Sequence, residues 1–222
     1  MNRIFWLIVL VFVSNLAFSS DYAREKKWAD EIVPGVVVGD PLYLEQSGGH
    51  KFLTLYTPVK DAKAALVIVH GLGINPDWGL IGVLRSQLAD KGYTTLSIQM
   101  PVLANNAKSA AYSATFPEAV QRLGIAVAFL KSKGYTKIGL VSHSMGSRMS
   151  AEYMTKKPDA AIKTWVAIGM PQPLDFYKVG VPVLDLYGEN DFPEVLKSAA
   201  ARKSTLIGKS GSTQERVAHA NH

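Results

Sequence analysis

Residues 141–150 read VSHSMGSRMS, and they continue the apolar run KIGLV of residues 137–141. A polar stretch directly after such a run marks the end of a strand. Within it, Ser142-His143-Ser144-Met145-Gly146 admits two readings. Ser144 is a nucleophile on a sharp strand-to-helix turn, or it caps the helix that follows, a position serine favours. A turn that presents a nucleophile is so tight that the residues two before and two after it must carry little or no side chain. Gly146 meets this outright. Ser142 departs from the pattern G-x-S-x-G, yet it is the smallest choice after glycine or alanine. By themselves the five residues leave both readings open.

Four further apolar runs flank this stretch: residues 65–69 (ALVIV), 94–99 (TTLSIQ), 164–169 (TWVAIG) and 181–187 (VPVLDLY). Runs without alternation suit strands that are covered on both faces. Helical segments separate most of them. One opens at Asn75-Pro76 and carries Leu80, Leu84 and Leu88 at four-residue spacing. A second opens at Pro117, with Val120, Leu123, Val127 and Leu130 on one stripe. A third begins at or just after Ser144, and a fourth runs from about Pro193 to Arg202. Upstream, Leu42–Glu45 and Lys51–Tyr56 flank Ser47-Gly48-Gly49, the signature of a hairpin. The predicted fold is α/β: a mostly parallel, doubly wound sheet fed by an N-terminal antiparallel hairpin, over residues 42–222.

Composition sets the class. With 222 residues, 48% of them hydrophobic, the chain can bury a full core in one domain. Its charge of +6 is scattered, with no block of five like charges, which argues against a nucleic-acid footprint. In residues 1–19, Arg3 is the only charge, residues 4–13 are unbroken apolar, and Ala17-Phe18-Ser19 offers small residues for cleavage. This reads as a secretory signal cut after Ser19, giving a periplasmic or secreted protein with no stable membrane insertion after processing. The competing reading, an uncleaved anchor, needs about 20 apolar residues, whereas residues 4–18 include Ser14 and Asn15. The absence of cysteine excludes disulfides and a lipid-modified cysteine. Residues 20–41 are read as a lead-in segment, polar and mobile as far as residue 34.

In a parallel sheet, sites gather beyond the carboxyl ends of the strands. His70-Gly71-Leu72-Gly73 follows the first central run, Ser142–Gly146 the third, and Gly188-Glu189-Asn190-Asp191 the fifth. A last short strand, near residues 215–218, is followed by Asn221-His222. The order Ser, Asp, His with a strand–Ser–helix turn resembles the α/β-hydrolase superfamily, over residues 42–222. More narrowly, the signal segment, VIVHGLG, SHSMG and the terminal ANH are similar to a small exported bacterial family of unknown function, which brings no substrate with it.

The resemblance implies a serine hydrolase, a carboxylesterase working through an acyl-enzyme on a small-molecule acyl substrate, without cofactor. Ser144 would be the nucleophile. A serine hydroxyl needs a base, and His222 sits where the superfamily's histidine does; His219, expected within the last strand, is the alternative. His143 would line the site or pack, and His50 would lie on the surface. Asp191 matches the superfamily's G-x-x-D and would fix the histidine, with Glu189 as a substitute and Asp185 inside the sheet. The implied oxyanion donors are the N–H groups of Leu72 and Met145.

Two departures stand out. Residues 170–180 (MPQPLDFYKVG) are too few for the lid that many relatives insert there, so the site should be open, bordered by this loop and residues 102–115. The sequence stops at His222, before the helix with which the superfamily normally closes; either it is a fragment or the domain is unusually trimmed. A non-catalytic α/β-hydrolase-like domain that binds a ligand or an envelope partner is the competing function. No metal-ligand cluster, phosphate loop or dinucleotide fingerprint is present in the sequence.

Overall fold

The computed structural model describes residues 20–156 and 158–222; the segment read as an export signal, residues 1–19, lies outside them. Eight strands form one sheet: β1 (Asp40–Glu45), β2 (Lys51–Thr57), β3 (Ala65–Val69), β4 (Thr94–Ile98), β5 (Ile138–His143), β6 (Ile162–Ile168), β7 (Val183–Gly188) and β8 (Thr213–Val217). Their order is β1-β2-β4-β3-β5-β6-β7-β8. β2 runs antiparallel to both β1 and β4, and every other neighbouring pair is parallel. This is the mostly parallel sheet with an antiparallel hairpin that the apolar runs predict.

Helices cover both faces: α2 (Leu80–Asp90), α3 (Phe116–Ser132), α4 (Met145–Met154) and α5 (Pro193–Ser204). All five residues of β3 are buried, because alternate side chains serve opposite layers. Val67 and Val69 pack with Leu123, Val127 and Met149 of α3 and α4. Leu66 and Ile68 pack with Ile81 of α2, supported by Leu84 and Leu88. Burying each such side chain contributes about 1.5–3 kcal/mol. Among the described residues no helix is long and apolar enough to cross a membrane.

Two local expectations are corrected. Asn75-Pro76 does not open α2; the Asn75 side chain accepts from the N–H of Asp77, folding the segment into a turn. Gly79, at φ 53°, keeps the chain out of helix until Leu80. Residues 20–34, expected to be mobile, instead contain a helix, α1 (Tyr22–Ile32), capped by the Asp21 carboxylate on the N–H of Arg24. Ala29 of α1 packs on Leu53 and Leu55 of β2. The stronger anchor is ionic. The Glu25 carboxylate receives both terminal nitrogens of Arg122, at 3.0 and 3.1 Å, and both side chains are buried. Burial raises the Glu25 pKa even though Arg122 opposes the shift. His50, expected at the surface, is partly exposed, with its ring bonded to Glu25 at 3.2 Å and stacked on Tyr22 at 3.5 Å.

Removing one partner of a buried ion pair leaves a desolvated charge. Arg122 would retain Glu118, at 2.6 Å. Glu25→Ala is therefore expected at the low end of the usual range, about 3 kcal/mol, read as a lowered urea midpoint. An unchanged midpoint would show that α1 adds nothing to the stability of the sheet.

Candidate active site

β5 leads into α4 through Ser144, whose backbone has φ 56° and ψ −121°. A non-glycine residue there is strained by roughly 1–3 kcal/mol and persists only where its neighbours hold it. They do so here. Ser144 N–H donates to the Ile168 carbonyl at 2.8 Å, and the α4 helix starts at once. A Cβ on Gly146 would collide with the His70 carbonyl and with Val69, so glycine is required for α4 to lie against the end of β3. Ser142 is fully buried, and its hydroxyl is used: it accepts from the Trp165 indole at 2.8 Å and meets the Ser147 hydroxyl at 3.2 Å. The residue that departs from G-x-S-x-G thus braces the turn from below.

His222 brings the carboxyl ends of β5 and β7 together. Its Nε2 lies 2.7 Å from Ser144 Oγ, and its Nδ1 lies 2.6 Å from Asp191 Oδ1. Asp191 is buried, and its carboxylate also accepts from the N–H groups of Gly188 and Phe192. An acceptor-only carboxylate at Nδ1 places the ring proton there and leaves Nε2 to accept from the serine hydroxyl. The strand after α5 makes this meeting possible. Residues 217 and 220 accept from Glu189 N–H and Asn190 N–H, at 2.9 and 2.8 Å, and the chain passes so close that Gly188 has no room for a Cβ. Gly169, at φ 56°, leaves room for the ring, since a Cβ would lie 2.9 Å from His222 Cε1.

The other expected residues separate clearly. His219 is not in the last strand; β8 ends at Val217, and His219 occupies a turn at φ 60° with its side chain 94% exposed. Glu189 accepts from His219 N–H and pairs with Arg216, away from the Ser144–His222 contact. Asp185 lies inside the sheet as expected, paired with Arg202, both side chains fully buried. His143 lines the cavity, 4.6 Å from the His222 ring. Two neighbours were not anticipated from the sequence: Phe192 stacks on His222 at 4.1 Å, and Arg148 lines the same cavity.

The loop after β3 is held by His70. Met100 N–H donates to its Nε2 at 2.8 Å, so the ring proton sits on Nδ1 and is donated to the Gly71 carbonyl at 2.8 Å. In a trans peptide the C=O and the next N–H point in opposite directions. The bond that fixes the Gly71 carbonyl therefore fixes the Leu72 N–H, pointing it away from His70. Gly71 packs against the nucleophile turn, since a Cβ there would lie 3.2 Å from Ser144 Cβ. Met145, first residue of α4, has an N–H with no acceptor inside its own helix. Gly71, which shares a peptide with the Leu72 N–H, and Met145 thus both border Ser144. A cavity of about 910 Å³ opens over it, walled by Leu72, Trp78, Met145 and Phe192, and reached by Ser109–Ala110 and Pro171 of the two bordering loops. The connection between β6 and β7 holds only a short helical turn, Phe176–Lys178, and no lid.

Burial holds the pKa of His70 down to about 4, and burial, followed by the nearby His222, does the same to His143. A folded value below the unfolded one, near 6.5, means that the unfolded chain takes up protons which the folded chain refuses. The stabilisation is present above about pH 6.5 and is lost as pH falls toward 4. Each histidine is expected to contribute on the order of 3 kcal/mol to that loss. Urea midpoints at pH 7 and 4.5 measure it, and His70→Gln should flatten the slope. An unflattened slope would mean that His70 is protonated in the fold.

Residues 42–122 match the family described as "Protein of unknown function (DUF3530)". No curated protein matches the sequence. Among solved structures, the chain is similar to an α/β serine hydrolase without lid from Xanthomonas campestris, at TM-score 0.65 and 16% identity, covering 84% of this chain and 87% of that one. It is similar to an esterase of Pyrococcus furiosus, at TM-score 0.63 and 13% identity over 82% and 83% of the two chains. A cold-adapted esterase from an Arctic intertidal metagenomic library gives TM-score 0.62 and 18% identity over 82% and 84%. The chain has the α/β-hydrolase fold.

Proposed function

We propose that the protein is a serine hydrolase that cleaves carboxylic esters through an acyl-enzyme on Ser144. The observation that carries this reading is the unbroken chain Asp191–His222–Ser144, at 2.6 and 2.7 Å, on a turn held at positive φ. The esterases and the serine hydrolase with the same fold support it. His222 takes the Ser144 proton through Nε2 as Oγ attacks the carbonyl carbon, and Asp191 stabilises the imidazolium so formed. The oxyanion is met by the N–H groups of Leu72 and Met145, the second at the positive end of α4. Losing one such donor costs on the order of 3 kcal/mol of barrier. His222 then protonates the departing alcohol, and a water activated by the same nitrogen releases the acid.

The signal-like residues 1–19 and the small residues at Ala17 and Ser19 support export to the periplasm or beyond, with cleavage after Ser19. Mass spectrometry of the mature N-terminus tests this, and an intact Met1 on the processed protein would refute it. The substrate is a small acyl compound admitted without a lid. Hydrolysis of soluble short-chain esters should therefore rise smoothly with concentration, and a jump as the substrate aggregates would contradict an open site.

A fluorophosphonate is expected to attach to Ser144, and Ser144→Ala should lose both labelling and turnover with an unchanged melting temperature. His222→Ala should be equally inactive, while His219→Ala keeps activity because its ring faces solvent. Asp191→Asn should lower kcat by up to about 10⁴, by leaving the ring in the wrong tautomer. Full turnover by His222→Ala, or labelling of Ser144→Ala at the wild-type rate, would overturn the assignment.

A further inference from the structure

Resting on the hydrolase reading above, we propose that Arg148 forms an anion subsite in the cavity and that the preferred esters carry a free carboxylate within its reach. Arg148 stands one helical turn beyond Ser144 on α4, about 6 Å along the axis, and lines the same cavity.

Its surroundings fix its position without neutralising it. Nε donates to Gln172 Oε1 at 2.8 Å, the guanidinium lies over the Phe116 ring at 5.3 Å, and Nη1 touches only the weak acceptor Met145 Sδ, at 3.7 Å. Of the five N–H groups of an arginine, three are left without a partner among the described residues. Among the described residues no carboxylate is paired with it. The contrast with the interior arginines is direct, since Arg85, Arg122 and Arg202 each pair with an aspartate or glutamate. Nor does an undescribed residue hold the missing acid, because residues 1–19 and Lys157 include no Asp or Glu.

A half-buried guanidinium without a counter-charge is costly to keep. Burial alone acts on it, lowering its pKa, with no neighbouring charge to oppose the shift. Its planar fork suits the two oxygens of a carboxylate, and the contacts at Nε and at the ring face hold that fork before the ligand arrives. The other charges on the cavity wall do not cancel it. Among the described residues Glu194 is the one acidic side chain in the lining; it is exposed in the first turn of α5, where water screens it. His143 is uncharged at neutral pH, and His222 is engaged by Asp191.

The test compares matched esters on the full protein: nitrophenyl hydrogen glutarate against its methyl ester, and butyryl hydroxybenzoate against its methyl ester. The first pair puts the carboxylate on the acyl side and the second on the alcohol side. In at least one pair the acid is expected to exceed its neutral partner in kcat/KM by about tenfold or more. Arg148→Gln should bring that ratio to about one, and Arg148→Lys should restore part of it. A residue that merely braced the loop would lower both members of a pair equally. Neutral esters preferred in both pairs, or a ratio that survives Arg148→Gln, would overturn the proposal. Binding separates this result from a failure of the hydrolase reading. Calorimetry on the Ser144→Ala protein, with monomethyl glutarate for the acyl side and butyryl hydroxybenzoate for the alcohol side, should give saturable binding of at least one acid that Arg148→Gln removes, even if no ester is turned over. Absence of binding of both acids before that second substitution would also overturn the subsite.

Discussion

Everything in the site depends on how closely α4 approaches the end of β3. The contact is between the Gly146 backbone and the carbonyl of His70, where even a methyl group would collide. That approach forces Ser144 into a positive-φ turn, because β5 must stop and α4 must start without an intervening loop. The same carbonyl belongs to the residue whose ring ties down the Gly71 carbonyl. One packing constraint therefore sets the hydroxyl, the helix terminus beside it and the facing peptide together. Ser142, Ser147 and Trp165 supply the opposing support, a small buried polar network beneath the turn. Such a network holds a geometry firmly only when its members find partners. Ser142 does so where glycine would contribute nothing.

A second device recurs away from the turn. Arg122 and Arg202 are fully buried and bound by carboxylates, the first joining α3 to α1 and the second joining α5 to β7. Arg202 also reaches the Met170 carbonyl, at the start of the loop that borders the cavity. Buried pairs of this kind contribute little net stability, but removing either member is expensive. Their effect is to specify which helix lies where. α1, with few apolar residues to bury, is docked in this way, whereas α2 and α3 are docked by leucine stripes.

That difference explains what was legible in the sequence. The five apolar runs, the hairpin and the helices with leucine or valine stripes announce themselves through periodicity, and the sheet follows from them. The places of Ser144, Asp191 and His222 beyond strand ends were also legible, while the pairing proposed for them came from the resemblance; the structure brings the three side chains together. α1 was not, because YAREKKWADEI has the composition of a solvated segment and its anchor is a partner 97 residues away. The start of α2 was misread because Asn75 bonds its own backbone and Gly79 takes a positive φ, a local competition that the Asn-Pro pair conceals. Phe192 and Arg148 carry no motif. Their roles arise from where α4 and α5 deliver them, which is a property of the assembled sheet.

The two histidines at the site differ in their surroundings, and the difference supports His222 as the base in the proposed mechanism. His143 and His222 lie 4.6 Å apart, so a charge on one opposes a charge on the other. At His143, burial and then His222 lower the pKa to about 4, outweighing Asp191, which pulls the other way. His222 has Asp191 in direct contact at 2.6 Å, and that carboxylate is itself held by two backbone N–H groups. In the proposed mechanism the Ser144 proton would pass to the ring that touches both the serine and a fixed counter-charge. His143 remains a neutral wall of the cavity, and its neutrality keeps the second ring free to accept.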